Sequence, residues 1–304
     1  MLWDFSRELA AHGPHRGGRS PVPLETARAY CARVARSHYE NFSVVSVLLP
    51  RRLIRHFHAV YAYCRWSDDI ADETGGGAEA LQLLDWWRGE LLLCFQGNPR
   101  HPVMVALRET IRRFDIPPQP FLNLLTAFET DQHTNRYATF DLLLAYCGNS
   151  ANPVGRLVLH LFECCDAERG AFSDEVCTGL QLANFWQDVA RDFAIGRVYL
   201  PAEDLTRFGV SEADIATGRC TPEFRALMQF QVSRARAYFK RGESLLPLLP
   251  REVRGDVDLF SRGGRAILNA IERADFDVLT RRPEVTKFEK VKLVLGALVR
   301  RFLI

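Results

Sequence analysis

Residues 61–73 read YAYCRWSDDIADE, a run in which four carboxylates follow aromatic and apolar side chains. An α-helix brings residues three and four apart onto one face. One face of such a helix carries a phenol, a guanidinium and two carboxylates, from Tyr61, Arg65, Asp68 and Asp72. Asp69 and Glu73 lie on the adjacent face. The stretch predicts a long helix over Arg51–Glu73 and a helical architecture around it.

The carboxylates of this helix predict a metal site. Like charges this close destabilise a helix unless a cation lies between them. The aromatic surroundings predict burial, and a buried acidic cluster needs a counter-ion. Mg²⁺ is suitable because it takes oxygen ligands, usually one or two carboxylates with water and substrate phosphate. We assign Asp68, Asp69 and Asp72 to this site, the first and last as direct ligands and Asp69 with Glu73 in support. The alternative is a solvated acidic helix end.

A second polar stripe occurs in residues 181–192, QLANFWQDVARD. Asn184, Asp188 and Asp192 are spaced four apart, so they share one helix face, and Gln181 joins them. The intervening residues are mostly apolar and are expected to pack in the core. Alone, such a stripe could simply face water. Two stripes in one helical domain predict magnesium ions bound with a diphosphate, whose charge grows as its C–O bond breaks.

The rest of the chain also follows a helical pattern. From Leu24 onward, no period-two alternation is long enough to predict a sheet, and short proline and glycine turns separate the segments. The predicted class is all-α, with a flexible N-terminal arm over residues 1–23 and one catalytic domain over 24–304. Among the predicted helices are Leu24–Ser37, Pro102–Phe114, Ser173–Ala194 and Pro222–Leu248.

Composition limits the partners and the location. A formal net charge of +2 is too near neutral for a nucleic-acid binder, so no such partner is expected. The eight cysteines form no C-x-x-C pair, and we find neither a signal peptide nor a run of roughly 18 apolar residues. A cytoplasmic protein with reduced thiols is expected. The segment Val291–Ile304 could touch a membrane surface transiently, the alternative being a helix packed on the core.

Three stretches resemble signatures of the squalene/phytoene synthase family. Residues 61–72 match its Y-x-x-x-R-x-x-D-x-x-x-D pattern, and residues 179–201 match N-x-x-x-D-x-x-x-D followed by Arg197 and Tyr199. Residues 38–43, HYENFS, resemble a short motif that meets the diphosphate and prenyl chain. The resemblance implies an all-helical isoprenoid-synthase fold with a central cavity. It also implies a magnesium-dependent lyase or transferase that acts on isoprenoid diphosphates.

The resemblance further implies roles for single residues. Substrate contacts are expected from His38, Asn41, Phe42, Gln181, Arg197 and Tyr199. Arg65 is expected to bind the diphosphate as a charge-assisted partner, and Tyr61 to act near the leaving group or the carbocation. Glu40 stands where some relatives carry lysine, so one cationic contact of those relatives is replaced here.

Residues 145–159, AYCGNSANPVGRLVL, indicate the branch of the family. Family members that make the cyclopropyl intermediate generally carry a tyrosine just after the Tyr-Cys pair, where this chain has Gly148. The stretch is similar to the bacterial hopanoid-pathway branch that converts presqualene diphosphate to hydroxysqualene. That resemblance implies magnesium without NADPH, and a functional link to a separate presqualene diphosphate synthase.

Asn152 is our candidate for positioning the water, with Asn149 or Ser150. It belongs to a polar cluster in an otherwise apolar segment, next to Pro153. The simpler interpretation is that Asn152 caps the following helix, with Pro153 at its first position. Both roles are compatible.

Other activities fit parts of the sequence. A condensing enzyme of the same family would join two farnesyl or geranylgeranyl diphosphates into presqualene diphosphate, squalene or phytoene. Chain-elongating synthases also use D-D-x-x-D, but they repeat an aspartate-rich motif where this chain has Asn184. An inactive helical scaffold should have lost metal ligands, and the positions assigned here are all retained.

Overall fold

The computed structural model describes residues 3–15, 22–37 and 49–303. Within these ranges the chain is helical and contains no β-strand, only an isolated bridge between Arg136 and Val198. The predicted all-α class is therefore confirmed.

The helices are numbered here in chain order. The earlier ones are α1 Phe5–His12, α2 Leu24–Ser37, α3 Arg51–Glu73, α4 Gly77–Phe95, α5 Pro102–Phe114, α6 Gln119–Asp131, α7 Phe140–Ser150 and α8 Asn152–Leu161. The later ones are α9 Ala167–Gln187, α10 Val189–Ala194, α11 Ala202–Phe208, α12 Glu212–Ala216, α13 Pro222–Gly242, α14 Leu245–Leu248, α15 Arg251–Arg273 and α16 Lys287–Leu303.

The predicted bounds hold for α2, α3 and α5. The short helices α11 and α12 were not predicted, and three further features differ. Residues 5–12, assigned to a flexible arm, form α1, where the Asp4 carboxylate accepts the Arg7 N–H and Phe5 is buried. An amphipathic helix this short is stabilised by tertiary packing, which local sequence does not reveal. The predicted helix Ser173–Ala194 is interrupted at Asp188, and Pro222–Leu248 ends at Gly242 before α14.

The chain forms two compact units. The first comprises residues up to 133 together with 157–163, and the second comprises 134–156 together with 164–304. The single catalytic domain over 24–304 stays a prediction.

Aromatic side chains of α3 form the core of the first unit. Trp66 stacks on Trp87 of α4 with ring centroids 5.3 Å apart. The Tyr63 hydroxyl donates to the Phe121 carbonyl over 3.0 Å, and the Trp87 indole donates to the Ser67 hydroxyl over 3.0 Å. These buried hydrogen bonds and stacks fix the rotation of α3 about its axis. They therefore determine which way its carboxylates point.

In the second unit α9, α13 and α15 pack together at close range. Phe239 of α13 is fully buried against glycines of its neighbours, Gly179 on α9 and Gly264 on α15. On the same α9 helix, Trp186 is also fully buried. This packing sets the rotation of α9 and the direction of its polar stripe.

Gly264 and its neighbour Gly263 allow a matched test of this packing. A methyl group at Gly264 would collide with Phe239 and lie 2.7 Å from Leu180 Cδ2, whereas one at Gly263 would meet no atom within 4 Å. We expect Gly264→Ala to lower the free energy of unfolding by about 1–3 kcal/mol through overpacking. Gly263→Ala should raise it by about 0.5–1 kcal/mol, as for an open helix interior. Urea denaturation measures both, and equal effects would contradict the packing described.

None of the described helices combines the length and the apolar character needed to cross a bilayer. Helix α16 nevertheless exposes Phe288, Val291 and Leu295, with Phe288 66% accessible. The side chains of Ala297 and the residues after it lie outside the description. Transient contact with a membrane surface and a cytoplasmic location stay predictions.

Candidate functional site

The acidic residues of α3 differ in exposure. The Asp68 side chain is 42% exposed and Asp72 is exposed, so both carboxylates can reach a ligand in solution. Asp69, between them, is fully buried. The predicted burial of the acidic cluster is therefore wrong for Asp68, Asp72 and Glu73 and holds only for Asp69. The assignment of direct and supporting ligands stays a prediction.

Arg65 connects these carboxylates. Its guanidinium forms an ion pair with Asp69, and it lies 3.1 Å from Asp68 Oδ2 and 3.2 Å from Glu73 Oε1. Asp69 also accepts a hydrogen bond of 2.8 Å from the indole N–H of Trp3. One buried carboxylate thus anchors a cation beside the accessible carboxylates of Asp68 and Glu73. Sequence reasoning missed Trp3, because no pattern of local spacing links residues 66 positions apart.

Burial changes the acidity of two groups on α3. It raises the pKa of Asp69 to about 7, although Arg65 and Trp3 act in the opposite direction. Burial likewise raises the pKa of the half-buried Tyr61 above its ordinary value. The Tyr61 hydroxyl therefore remains protonated at neutral pH and can donate a hydrogen bond.

The second polar stripe lies at the junction of α9 and α10. The backbone at Asp188 leaves helical geometry, with φ −104° and ψ 14°. The hydrogen bonds from Asp188 N to Asn184 O, 3.0 Å, and from Asp192 N to Asp188 O, 2.8 Å, nevertheless preserve the four-residue spacing. Asn184 is exposed, and Asp188 and Asp192 are partly exposed. The three oxygen-bearing side chains therefore remain on one side, as the spacing predicted.

Arg282 holds Asp188 in a bidentate ion pair. Its Nε lies 2.6 Å from Asp188 Oδ1 and its Nη2 lies 2.9 Å from Oδ2. Gln187 accepts a further bond of 2.9 Å from the same Nη2 and donates to the Pro283 carbonyl over 2.6 Å. Sequence reasoning did not select Arg282. The only local feature that marks this residue is its place in the Arg281–Arg282 pair before Pro283.

Asp192 shares a pocket with two residues predicted to bind substrate. The pocket is lined by Phe185, Val189, Asp192, Phe193, Arg197, Val198, Tyr199, Leu200 and Ile215. Burial, with repulsion from Asp188, raises the pKa of Asp192 to about 7. The ring of Tyr199 stacks on Phe185 with centroids 3.8 Å apart.

A glycine turn brings Arg197 back toward Asp192. After α10, Gly196 adopts φ +81°, a conformation that favours glycine. The Gly196 N–H bonds to Phe193 O and the Arg197 N–H to Asp192 O, which is a Schellman motif. The sequence G-R-x-Y after the stripe thus places a cationic and an aromatic side chain beside Asp192.

The donor chemistry of both stripes fits Mg²⁺. In the described ranges, no three His, Cys, Asp or Glu side chains gather closely enough to hold a metal unaided. Magnesium rarely needs such a cage, because it bonds to one or two carboxylates and takes its other ligands from water and phosphate. The accessible pair Asp68 and Asp72, and Asp188 with Asp192, provide carboxylates of that kind.

The remaining predicted residues have different positions. His38, Asn41 and Phe42 lie outside the described residues. Gln181 is half-buried on α9. Asn152 is the first residue of α8, and its side-chain oxygen accepts a 3.1 Å hydrogen bond from the Thr178 hydroxyl on α9. This contact was not foreseen, and it orients the Asn152 amide toward α9.

Comparison with known proteins identifies the family. The model of the family described as "Squalene/phytoene synthase" matches residues 11–289. The chain belongs to the squalene/phytoene synthase family. A phytoene synthase of Thermus thermophilus is 33% identical over 93% of this chain and 97% of its own length. Phytoene synthase 3 of Zea mays is 32% identical over 97% of this chain and 72% of its own length.

Solved structures of the family share the fold. Squalene synthase HpnC from Alicyclobacillus acidocaldarius has a TM-score of 0.81 and 44% identity, covering 85% of this chain and 97% of its own. A dehydrosqualene synthase has a TM-score of 0.82 and 25% identity, covering 92% and 98%. This squalene/phytoene synthase family member is thus a prenyltransferase-type enzyme of isoprenoid biosynthesis with the all-helical isoprenoid-synthase fold.

Proposed function

We propose that the enzyme converts presqualene diphosphate and water to hydroxysqualene and diphosphate. The observation that carries this proposal is Gly148, which occupies the position where condensing relatives generally have a tyrosine. A Cβ atom at Gly148 would meet no other atom within 4 Å, so crowding at the Cβ position does not require glycine there. An enzyme that receives presqualene diphosphate ready-made does not need a residue for the condensation step.

The carboxylates and arginines described above would bind the diphosphate end of the substrate. We assign Asp68 and Asp72 on α3, and Asn184, Asp188 and Asp192 on α9 and α10, as ligands of magnesium, which would neutralise charge on the leaving group. Arg65 and Arg197 would donate charge-assisted hydrogen bonds to diphosphate oxygens. Asp69 would hold Arg65 in place, and Arg282 would orient Asp188.

The reaction needs no reductant. The C–O bond breaks and its electron pair leaves with diphosphate, which gives a cyclopropylcarbinyl cation that rearranges. A water oxygen then bonds to the cationic carbon, and its extra proton passes to the released diphosphate. Aromatic faces such as the Phe185 and Tyr199 stack suit a cation, because the ring face is negative. No NADPH is expected, and a separate enzyme must supply presqualene diphosphate.

The capture of water is tested with water labelled with oxygen-18. Purified enzyme, magnesium and presqualene diphosphate should give hydroxysqualene whose mass rises by the isotope difference. Unlabelled alcohol would contradict direct capture. A hydrocarbon as the sole product would contradict the proposed reaction.

Asn152 is the residue we propose to position that water. Thr178 fixes its amide by hydrogen bonding to Oδ1, which leaves the amide NH₂ to orient a second partner. Asn152→Leu is expected to raise the hydrocarbon share of the products several-fold, on the scale of one lost neutral hydrogen bond of about 1 kcal/mol. Mass analysis of the extract measures the ratio. Asn269→Leu, at an exposed position on α15, is the matched control. An unchanged ratio in Asn152→Leu would exclude the water role.

Condensation of two prenyl diphosphates is the second candidate function. It is favoured by the relatives named above, two of which are phytoene synthases at 32–33% identity. Both functions use the same ionisation of an allylic or cyclopropylcarbinyl diphosphate, so the same carboxylates and arginines would serve either.

A further inference from the structure

Trp3, which precedes α1, is connected to the α3 carboxylates through the buried side chain of Asp69. Its indole N–H donates to Asp69 Oδ2 over 2.8 Å. The other oxygen of Asp69 pairs with the Arg65 guanidinium. Because the Asp69 side chain is completely buried, water cannot replace either partner. The two oxygens of one carboxylate are thus divided between Trp3 and Arg65.

Arg65 connects the buried Asp69 to carboxylates that are accessible to solvent. Besides Asp69, its guanidinium meets Asp68 at 3.1 Å and Glu73 at 3.2 Å. A carboxylate held on one side only can rotate about its Cβ–Cγ bond, and the cation paired with it then follows. The Trp3 hydrogen bond opposes that rotation. The orientation of Arg65 beside Asp68 therefore depends on a residue outside α3.

Helix α1 has other anchors that do not involve the Trp3 N–H. Phe5 packs edge-on against Trp66, with ring centroids 5.1 Å apart. Glu8 accepts hydrogen bonds of 2.8 Å from the Tyr30 hydroxyl and from Arg33. Because these contacts hold the helix, the indole N–H can be removed without detaching α1. Attachment of α1 and orientation of Asp69 are therefore separable by mutation.

We propose that Trp3 is a positioning residue that orients Arg65 through Asp69 for contact with the substrate diphosphate. The proposal rests on the proposed function in one respect, namely that Arg65 binds a diphosphate. It implies that the segment before α1 helps to position an active-site residue. The alternative is that Trp3 only attaches α1 to the core.

The experiment compares Trp3→Phe, which removes the N–H and keeps an aromatic ring, with Phe5→Leu, which loosens α1 and leaves Asp69 untouched. Positioning predicts that Trp3→Phe lowers kcat by roughly 10- to 100-fold, the scale for outer partners of a catalytic group, with a near-normal Tm. Phe5→Leu should lower Tm and retain kcat. Parallel losses of kcat and Tm in both variants would overturn the proposal.

A rescue experiment isolates the hydrogen bond. Benzothienylalanine has the shape of tryptophan with sulfur in place of the N–H. Incorporated only at position 3, it should lower kcat as much as Trp3→Phe does. Azatryptophan at position 3 keeps the N–H donor and should give a kcat near that of the wild type. In an Asp69→Asn background, Trp3→Phe should have little further effect on kcat. Full activity with benzothienylalanine would contradict the role of the N–H.

Calorimetry of inorganic diphosphate binding in the presence of magnesium tests the positioning role independently of the proposed reaction. Trp3→Phe should weaken that binding relative to wild type and Phe5→Leu should not. If wild type fails to turn over presqualene diphosphate but this pattern of binding is observed, the proposed function fails and the positioning role stands. Equal diphosphate affinity in wild type and Trp3→Phe, or no binding to wild type, would overturn the positioning role.

Discussion

Replacing Asp188 with asparagine is expected to lower kcat/KM for presqualene diphosphate by roughly 10²- to 10³-fold, the scale for one lost electrostatic group at a reacting centre. The substitution keeps the shape of the side chain and one acceptor oxygen, but it removes the charge that pairs with Arg282 and is assigned to magnesium. Because both partners are partly exposed, the free energy of unfolding should fall by less than about 1 kcal/mol. Steady-state kinetics and urea denaturation measure the two effects.

Asp174→Asn is the matched control for this prediction. Asp174 in the same unit accepts a similar bidentate pair from Arg156, with N–O distances of 3.1 and 2.7 Å. Both variants break an arginine pair of the same geometry and should lose similar stability. Only Asp188→Asn should lose activity, and a similar loss of activity in Asp174→Asn would show that the ion pair matters only for the fold.

Asp72→Asn, a substitution in the first unit, should lower kcat/KM by as much as Asp188→Asn. Asp72 is exposed on α3, one turn from Asp68, so removing its charge should cost little stability. We expect kcat/KM to fall by roughly 10²- to 10³-fold. We also expect the magnesium concentration for half-maximal rate to rise, because a carboxylate ligand is replaced by a neutral amide. Magnesium titration of the initial rate measures both changes.

Asp85→Asn provides the comparison for Asp72. Asp85 is an exposed aspartate on α4, in the same unit and outside the stripe. Its replacement makes the same change in net charge and should leave both the rate and the magnesium requirement unaltered. If Asp72→Asn matched Asp85→Asn, the α3 stripe would be a solvated acidic helix end.

Local spacing was sufficient to predict the longer helices and both stripes. The four-residue period in 61–73 and 181–192 predicted which side chains share a face, and hydrogen bonds across Asp188 preserve that spacing even where the helix is interrupted. These features depend on contacts within one or two helical turns. The full burial of Asp69 alone among the α3 carboxylates was not predicted, because the sequence placed it with the exposed Glu73 on one face.

The residues that sequence reasoning missed act across long separations. Trp3 meets Asp69 from 66 positions away, and Arg282 meets Asp188 from 94 positions away. A tryptophan near the N-terminus and an arginine before a proline have no periodicity that identifies a partner. Helix α1 was missed for a related reason, since Phe5 and Glu8 are ordered by packing and hydrogen bonding to α2 and α3.

Incubation of the purified protein and magnesium, without NADPH, with presqualene diphosphate in one reaction and with farnesyl diphosphate in another tests the proposed reaction. We predict hydroxysqualene from the first reaction and no product from the second. Presqualene diphosphate, squalene or another condensed product from farnesyl diphosphate would contradict the proposed reaction. The segment around Gly148 would then belong to a condensing enzyme.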